Sequence, residues 1–307
     1  HRTHKPGVGG SNPPLATILI MKLSIIIVSY RSEHLLRNIL RKIPKNFQVI
    51  VVENSLLKLT KKKLEKKFKN VEVIIPSKNL GYSSAFNLAY KKCKYNFVLT
   101  FTPDVKFNSN LISKLVKIIK SFKNFTLLAP VYKNDKIYKN YQVTQRNITT
   151  KIKGHNLLQV NDIDWCLCII NRSKIKSLKL LDENFFLYFE TMDLCLNLIL
   201  KKHKFYVVKN LNFNHLGTSS SKIKYKSDIN IIRNWHYSWS KFYYYRKNYN
   251  YIFALKKIIP NIYQGIIGAM INIFKLNYEH IKLHLASIAG ALNSILFRKS
   301  NFRIKIR

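Results

Sequence analysis

The residues LSIIIVS at Leu23–Ser29 form an unbroken apolar run rich in β-branched side chains. A strand of this composition is buried on both faces, as the strands of a parallel sheet are. Strand-like and helix-like segments alternate outward from it. We predict further strands at Phe47–Val52, Val71–Ile75 and Asn96–Phe101, and helices at Glu33–Lys42, Leu57–Lys69 and Ser83–Lys92. This order predicts an α/β fold with a mostly parallel, Rossmann-like sheet flanked by helices.

The second half of the chain has a different character. Residues Asn134–Gly154 are polar and irregular. Beyond them we predict a strand at Asp164–Ile170, a helix at Thr191–Lys201 and a strand at Phe205–Val208. Helical, aromatic sequence follows Gly217–Ser221. We therefore predict one α/β domain over residues 21–221 and a basic, aromatic helical tail over residues 222–307.

The tail contains an uncharged stretch, Ile258–Phe274, between Lys257 and Lys275. Its apolar residues follow helical spacing: Ile258, Ile259, Ile262, Tyr263, Ile266, Ile267, Met270 and Phe274. Pro260 is expected in the first turn. Because a spanning helix needs about 20 apolar residues, we predict an amphipathic helix that lies at a membrane interface. Packing against the protein's own core is the alternative.

The chain is strongly basic, with 54 Lys+Arg against 14 Asp+Glu and a formal net charge of +40. This charge suggests a nucleic acid or an anionic membrane as partner. No specific nucleic acid is predicted, because Lys greatly outnumbers the Arg that reads bases and no RNP or helix-turn-helix signature is present. Two other causes explain the charge better than nucleic-acid binding does. They are a composition biased toward residues with A/T-rich codons and attraction to a membrane surface.

The remaining composition excludes several classes of protein. With 47% hydrophobic residues the chain has enough apolar mass for a core, which excludes disordered and collagen-like proteins. Its four cysteines form no CxxC pair, as expected of buried thiols in a reducing compartment. Residues His1–Ile20 are rich in Gly and Pro and lack the apolar core of a signal peptide. Since codons for Gly9–Pro13 resemble the T-arm of a transfer-RNA gene, we expect a spurious upstream translation with the true start at Met21.

Ligands bind an open parallel sheet outside the carboxyl ends of its strands. The first candidates for a site are therefore the residues that follow the predicted strands: Ser29, Tyr30, Arg31, Glu53, Asn54, Ser55, Lys78, Asn79, Gly81, Thr102, Pro103 and Asp104. Two of them, Glu53 and Asp104, are carboxylates expected at the same edge. No GxGxxG or P-loop motif follows any of these strands, which argues against dinucleotide and P-loop chemistry.

Six motifs, SIIIVSY, VIVVENS, NLGYSSAFN, TPD, DENFFLYFETMDLC and NHLGTSS, occur in order between Met21 and Ser221. Together they resemble the family 2 glycosyltransferases, in particular the rhamnosyltransferase-like branch. The resemblance implies a GT-A fold and a nucleotide-diphosphate sugar donor. It also implies a divalent cation, Mn²⁺ or Mg²⁺, and inversion at the anomeric carbon.

The resemblance assigns the cation and the nucleobase to particular residues. Glu53 stands where the family has an Asp that contacts the base. Asp104 matches the last acid of the DXD-like motif, whose carboxylate holds the cation, with a turn or helix-cap role as the alternative. Thr102 replaces the usual Asn or Asp of that motif, which leaves one firm carboxylate. His215 matches a family histidine that approaches the cation or the diphosphate.

Further donor contacts are implied in the same way. They are Ser29, Tyr30, Arg31, Asn54, Lys78, Asn79, Gly81 and Asn87. Gly81 permits a positive φ and a close approach of the backbone to the donor. Lys78 and Arg31 are candidates for phosphate or base contacts, and a solvated surface charge is the alternative for both.

The stretch LDENFFLYFETMDLC is unusually acidic for this chain. In the family an acid here takes the proton of the acceptor hydroxyl, which requires a carboxylate within hydrogen-bond reach. Because Thr191 stands where the family has an Asp, we predict Glu190 as the general base and Asp193 as the second candidate. Stabilising a helix N-terminus is the alternative role for both acids. Asp164 and Trp165 match the family's DW segment on the acceptor side, where Trp165 either stacks on a sugar or packs in the core.

The resemblance thus implies an inverting glycosyltransferase of cell-surface polysaccharide synthesis, acting on a hydroxyl of a glycan or lipid-linked acceptor. The basic tail predicts a cytoplasmic protein, peripheral at the inner face of the plasma membrane. A catalytically inactive sugar-nucleotide-binding homologue is the alternative, since Thr191 replaces an acid. A basic nucleic-acid-binding protein is a weaker alternative.

Overall fold

The computed structural model describes residues 21–133, 139–143, 148–152, 154–217 and 225–304. The strands in these ranges are β1 (Ser24–Ser29), β2 (Gln48–Glu53), β3 (Val71–Ile74), β4 (Phe97–Phe101), β5 (Val105–Lys106), β6 (Leu127–Tyr132), β7 (Tyr141–Val143), β8 (Thr149–Ile152), β9 (His155–Ile163), β10 (Leu167–Asn171) and β11 (Phe205–His215). The helices are α1 (Glu33–Leu40), α2 (Lys58–Lys67), α3 (Gly81–Lys91), α4 (Asn110–Ser121), α5 (Glu190–Leu200), α6 (Lys226–Asn248), α7 (Tyr251–Phe274) and α8 (Tyr278–Ile295). The predicted upstream segment His1–Ile20 lies outside the described residues, as does much of Gly217–Ser221.

The first half of the chain forms the predicted parallel sheet. Strands β3, β2, β1 and β4 are parallel neighbours in that order. The register pairs Ser29 with Glu53 at the carboxyl ends of β1 and β2. The polar residues that follow these strands therefore meet at one edge of the sheet, as the sequence predicts.

The second half of the sheet is mixed. Strand β10 runs antiparallel to both β4 and β6, and β11 runs parallel to β6 but antiparallel to β9. The irregular segment predicted at Asn134–Gly154 contains β7 and β8, which pair with β9, so that prediction is wrong where the structure describes it. The strand predicted from Asp164 begins only at Leu167, because Asp164 lies in a turn and accepts a hydrogen bond from the Cys166 backbone N–H at 3.3 Å.

Two apolar layers enclose the sheet. Ile25 and Ile27 of β1 pack in one layer with Leu115 of α4, and Ile26 packs in the other with Phe86 of α3. Successive side chains of a strand point to opposite faces, which is why one strand contributes to both layers. The continuous apolar run at Leu23–Ser29 is thereby explained.

Three helices form the described part of the tail. Helix α6 packs on the α/β domain, where Ser240 donates a hydrogen bond to the Leu187 carbonyl at 2.8 Å and Tyr243 donates to Asp182 at 3.0 Å. Helices α7 and α8 pack on α6 and on each other. Helix α7 begins at Tyr251, so Pro260 lies in its interior and the prediction of a first-turn proline is wrong.

Helix α7 buries few side chains, most of them small, and exposes most of its large apolar ones. Its buried residues are Ala254, Ile258, Gly265 and Ala269. Its exposed apolar residues include Ile259, Tyr263, Ile266, Ile267, Met270, Ile273 and Phe274, and this set is called the outer face of α7 below. The apolar stripe predicted on one face is thus divided between two. Within the described residues, no helix is long and apolar enough to cross a membrane.

Candidate functional site

A cavity of about 480 Å³ lies at the carboxyl ends of the parallel strands. It brings together eleven of the residues predicted for the site: Tyr30, Asn54, Asn79, Gly81, Thr102, Pro103, Asp104, Asp164, Trp165, Glu190 and His215. The predicted residues outside its lining are Ser29, Arg31, Glu53, Ser55, Lys78, Asn87 and Asp193. The cavity therefore joins the donor-side residues of the first half to the acid-rich segment of the second.

Glu53 is fully buried, and both of its carboxylate oxygens accept hydrogen bonds from neighbouring residues. Oε2 accepts a hydrogen bond from Ser29 at 2.9 Å, and Oε1 accepts from the Ser55 hydroxyl and from the Ser55 backbone N–H, the latter at 3.0 Å. Burial raises the pKa of Glu53, although the Ser55 and Ser29 hydrogen bonds oppose that rise. The structure thus places Glu53 and Ser29 in a network behind the cavity rather than on its wall.

The other three donor candidates outside the lining have partners or lie at the surface. The amide of Asn87 donates to the Leu181 carbonyl at 2.8 Å and to Glu183 at 3.0 Å, which ties α3 to the acid-rich segment. The Arg31 guanidinium lies 4.8 Å from the centre of the Tyr225 ring, and Lys78 is exposed.

Asn54, Asn79 and Gly81 build a tight turn on the cavity wall. Asn54 accepts a hydrogen bond from the Leu80 backbone at 3.0 Å and donates to the Gly81 carbonyl at 2.8 Å. Gly81 has φ +75°, and a Cβ atom there would overlap the Phe186 ring and carbonyl. Only glycine fits this position, because both the backbone angle and the space exclude a side chain.

Asp104 and His215 form the part of the cavity best suited to a divalent cation. Asp104 is buried, and its Oδ1 accepts no hydrogen bond within the described residues, while His215 Nε2 lies 3.2 Å from that oxygen. Burial lowers the pKa of His215, but Asp104 outweighs it and raises the pKa overall. The structure contains no group of three or more His, Cys, Asp or Glu that could hold a metal in its described ranges. Two ligands fit a cation whose other ligands are phosphate oxygens and water.

Asp164 and Trp165 lie beside this pair. Asp164 accepts a hydrogen bond from the Tyr132 hydroxyl at 3.0 Å. Trp165 is 2% exposed and packs edge-on against Phe86, with ring centres 5.4 Å apart. Its indole N–H has no hydrogen-bond partner in the described residues. The indole therefore packs in the core and still contributes an unpaired donor to the lining.

Glu190 begins α5 and reaches the cavity from a strained turn. Tyr188 and Phe189 adopt positive φ angles of 70° and 65°. Each such non-glycine conformation costs roughly 1–3 kcal/mol and persists only when its surroundings impose it. Tyr237 of α6 supplies part of that support, with its ring centre 5.7 Å from Tyr188 and 5.4 Å from Phe189. The first helix of the tail thus holds the segment that positions Glu190.

The two candidate bases have opposite surroundings. Glu190 is buried, its Oε2 has no partner within the described residues, and burial raises its pKa to about 7. Asp193 instead forms an ion pair with Lys247 at 2.6 Å and accepts a hydrogen bond from Asn248 at 2.8 Å. Glu190 is therefore the carboxylate available to a substrate, and Asp193 anchors α6.

Several lining residues were not predicted from the sequence. Phe186 and Tyr188 lie inside the acid-rich motif, in which only the acids carry a chemical signal that the sequence makes visible. Arg233 and Arg303 come from the tail, where no motif distinguishes them from the many other basic residues. Only the packing of the tail on the domain brings these two arginines to the cavity.

Comparison with known proteins supports the predicted family. The family model described as Glycosyl transferase family 2 matches residues 24–178, just over half of the 307 residues. The low-salt glycan biosynthesis hexosyltransferase Agl10 of Haloferax volcanii is 26% identical over 187 residues, covering 56% of this chain and 60% of that protein. This match spans less than two thirds of the relative's length.

Solved structures share the fold at low sequence identity. The mannosyltransferase PcManGT from Pyrobaculum calidifontis, in complex with GDP-Man and Mn²⁺, has a TM-score of 0.54 and 11% identity over 90% of this chain and 88% of its own. GalNAc-T7 with UDP, GalNAc and Mn²⁺ has a TM-score of 0.52 and 14% identity over 78% and 57%. S. aureus TarS 1-349 has a TM-score of 0.50 and 16% identity over 89% and 91%. These likenesses confirm the predicted GT-A fold. The match to the family model shows that the chain belongs to glycosyl transferase family 2.

Proposed function

We propose that this protein is an inverting glycosyltransferase that moves a sugar from a nucleotide-diphosphate donor to a hydroxyl group. The observation that carries the proposal is the cavity in which Glu190, a buried carboxylate with an unpaired oxygen, lies with the Asp104–His215 pair. The Glu190 carboxylate suits deprotonation of an acceptor hydroxyl, and the Asp104 carboxylate suits cation binding. The two chemistries of a metal-assisted glycosyl transfer are thus available in one space.

The donor side of the proposal rests on Asp104 and His215. These two residues would hold Mn²⁺ or Mg²⁺ against the donor diphosphate, where the cation offsets charge on the leaving group. Asn54, Asn79 and Gly81 line the same wall, and the turn that they form would shape it against the donor. The solved relatives PcManGT and GalNAc-T7 carry Mn²⁺ together with GDP-Man or UDP, which supports this assignment.

The acceptor side rests on Glu190. A carboxylate whose pKa is near 7 is ionised enough at neutral pH to accept a proton and basic enough to take it from an alcohol. Glu190 would receive the hydroxyl proton as the acceptor oxygen attacks the anomeric carbon from the side opposite the diphosphate. A single displacement of this kind inverts the anomeric centre. Thr191, which lines the same cavity, has no carboxylate and cannot replace it.

The sugar and the acceptor are proposed by class. A hexose or deoxyhexose, as in the rhamnosyltransferase-like branch, suits the motifs, and the relative Agl10 is named a hexosyltransferase of glycan biosynthesis. We assign the acceptor to a surface glycan or a lipid-linked glycan. A sugar-nucleotide-binding protein without activity is the second candidate, favoured by Thr191 at the position of a family acid.

We further propose that the protein works at an anionic membrane surface, at the inner face of the plasma membrane. The outer face of α7 exposes large apolar side chains, including Tyr263 at 65% and Phe274 at 85% exposure. Lys257 and Lys275 flank the stretch, and Glu279 is the only acid from Tyr249 to the end of the chain. An apolar face bordered by lysines fits a bilayer with acidic headgroups, to which each basic residue adds about 1 kcal/mol of attraction.

Vesicle flotation tests the membrane proposal. Tyr263→Asp combined with Met270→Asp places two charges on the outer face of α7, and we expect it to abolish flotation with phosphatidylglycerol vesicles. Leu178→Asp combined with Leu200→Asp is the matched control, because these leucines are 57% and 73% exposed elsewhere. Equal flotation of both variants would contradict the proposal. If the wild-type protein is a dimer and only the first variant is a monomer, the outer face of α7 binds a second copy of the chain instead of a membrane.

A donor panel tests the enzymatic proposal. UDP-, GDP- and dTDP-sugars are offered with Mn²⁺ or Mg²⁺, and release of the nucleoside diphosphate is measured with glycan acceptors present. We expect release from one donor, its loss on chelation, and its loss in Asp104→Asn but not in the surface control Glu72→Gln. Cation-independent release that survives Asp104→Asn would overturn the assignment of Asp104.

A further inference from the structure

The last described residues of the chain return to the cavity. Residues Ser300–Ile304, here called the C-terminal strap, lie against α6. His236 of α6 is fully buried and bonds to the Ser300 hydroxyl at 2.8 Å through Nδ1 and to the Phe302 carbonyl at 3.0 Å through Nε2. The Phe302 ring stacks on Trp235 with centres 5.3 Å apart. The strap is therefore held by polar and aromatic contacts to the helix that also supports Tyr188.

This packing places Arg303 on the cavity wall. The guanidinium carbon lies 3.3 Å from the centre of the Phe186 ring. Its Nη1 donates hydrogen bonds to the carbonyls of Phe302 at 2.7 Å and of Ser300 at 3.1 Å. The ring and the two carbonyls fix the plane of the guanidinium. Its Nε and Nη2 donate no hydrogen bond within the described residues.

The charge of Arg303 is not neutralised by a neighbouring acid. No carboxylate of the described residues lies within ion-pair distance of it. Of the three acids that share its cavity, Asp104 pairs with His215, Asp164 accepts from Tyr132, and Glu190 forms no ion pair with Arg303. An anionic ligand in the cavity would thus meet a fixed cation whose remaining donors are available.

We propose that Arg303 binds the diphosphate of the nucleotide-sugar donor and that the C-terminal strap is part of the donor site. The proposal rests on the glycosyltransferase function proposed above. Arg303 lies against Phe186, which touches Gly81, and near Tyr30, which follows β1. These neighbours belong to the donor side of the cavity. A guanidinium with two free donors matches two phosphate oxygens, and Lys cannot reproduce that planar contact.

Nucleotide binding without turnover tests this role. Titration calorimetry compares each nucleoside diphosphate with its monophosphate, using UDP and UMP, GDP and GMP, and dTDP and dTMP, in the presence of Mn²⁺. We expect Arg303→Met to weaken binding of the preferred diphosphate about tenfold or more, because a charge-assisted contact is lost, and to leave the monophosphate unchanged. Arg303→Lys should recover only part of the loss.

Arg298→Met is the matched control, since Arg298 is an exposed arginine two residues before the strap and does not line the cavity. Thermal unfolding of all three variants separates a lost contact from a displaced strap. Unchanged diphosphate binding by Arg303→Met would overturn the inference, as would an equal loss for the monophosphate. Wild-type protein that binds none of the diphosphates would contradict the proposed function instead, so the two failures are distinguishable.

Discussion

Replacing Glu190 with Gln should change how the free energy of unfolding depends on pH, because folding buries this carboxyl group and raises its pKa. The native pKa of Glu190 is raised to about 7 from its ordinary value of 4.5, first by burial and then by the charge of Asp164, against an opposing backbone hydrogen bond. A group whose pKa is raised on folding contributes stability below pH 4.5 and loses it as pH rises through the native value. At about 1.4 kcal/mol per pKa unit, the wild-type protein loses about 3 kcal/mol between pH 4.5 and pH 8 through this group.

Gln carries no charge, so Glu190→Gln should escape that loss. The difference in unfolding free energy between variant and wild type should move by about 3 kcal/mol in favour of the variant from pH 4.5 to pH 8. Urea unfolding at several pH values measures this difference. Subtracting the unfolding free energy of the wild type from that of the variant cancels the contributions of groups that titrate in both proteins. Glu72→Gln, at the surface beside Lys92, is the matched control for exchanging a carboxyl group for an amide. A difference for Glu190→Gln that does not change with pH would refute the claim that Glu190 is buried with a raised pKa.

Three further predictions concern the same cavity. Gly81→Ala should cost at least about 2 kcal/mol of stability and abolish donor binding, because its Cβ overlaps Phe186. Gly154→Ala is the control, because Gly154 has a similar φ but open space around its Cβ position, and it should lower stability by only about 1 kcal/mol. Equal losses of unfolding free energy for the two variants would contradict the packing argument. The rate constant kcat/KM should rise with pH and reach half its maximum near pH 7. In Glu190→Gln it should be independent of pH and about 100-fold or more lower, and an unaltered pH profile would remove Glu190 from the mechanism. Asp193→Asn should lower stability by about 1–3 kcal/mol through its contact with Lys247 and preserve the pH profile of the rate, whereas a lost profile would restore Asp193 as the base.

Much of the first half could be predicted because its signals are local. Each buried strand is a continuous apolar run, and the residues after it reach the same edge through parallel pairing. Local signals do not show which residues of one motif face the cavity and which bond to other parts of the protein. Asn79 lines the cavity, whereas Asn87, eight positions later, faces the acid-rich segment and bonds to it. That difference depends on what packs against α3 and against the turn that precedes it.

The missed features depend on contacts between distant parts of the chain. Strands β7 and β8 are only three and four residues long and exist because β9 pairs with them. Ile258 and Ile259 are equivalent in composition, but the first packs inward and the second is exposed, because α6 and α8 cover only one side of α7. Arg303 carries no local signal, since its position follows from the packing of Phe302 and Ser300 on α6.

The central claim is that the cavity binds a nucleotide-sugar and uses Glu190 to activate the acceptor. The most direct test measures donor binding and nucleoside-diphosphate release on the same samples of wild type, Glu190→Gln and Glu72→Gln. We predict equal donor binding by all three proteins, and release about 100-fold or more slower in Glu190→Gln alone. Release by Glu190→Gln at the wild-type rate would contradict the mechanism. Donor binding without release by the wild type, with acceptors present, would instead establish the inactive sugar-nucleotide-binding protein.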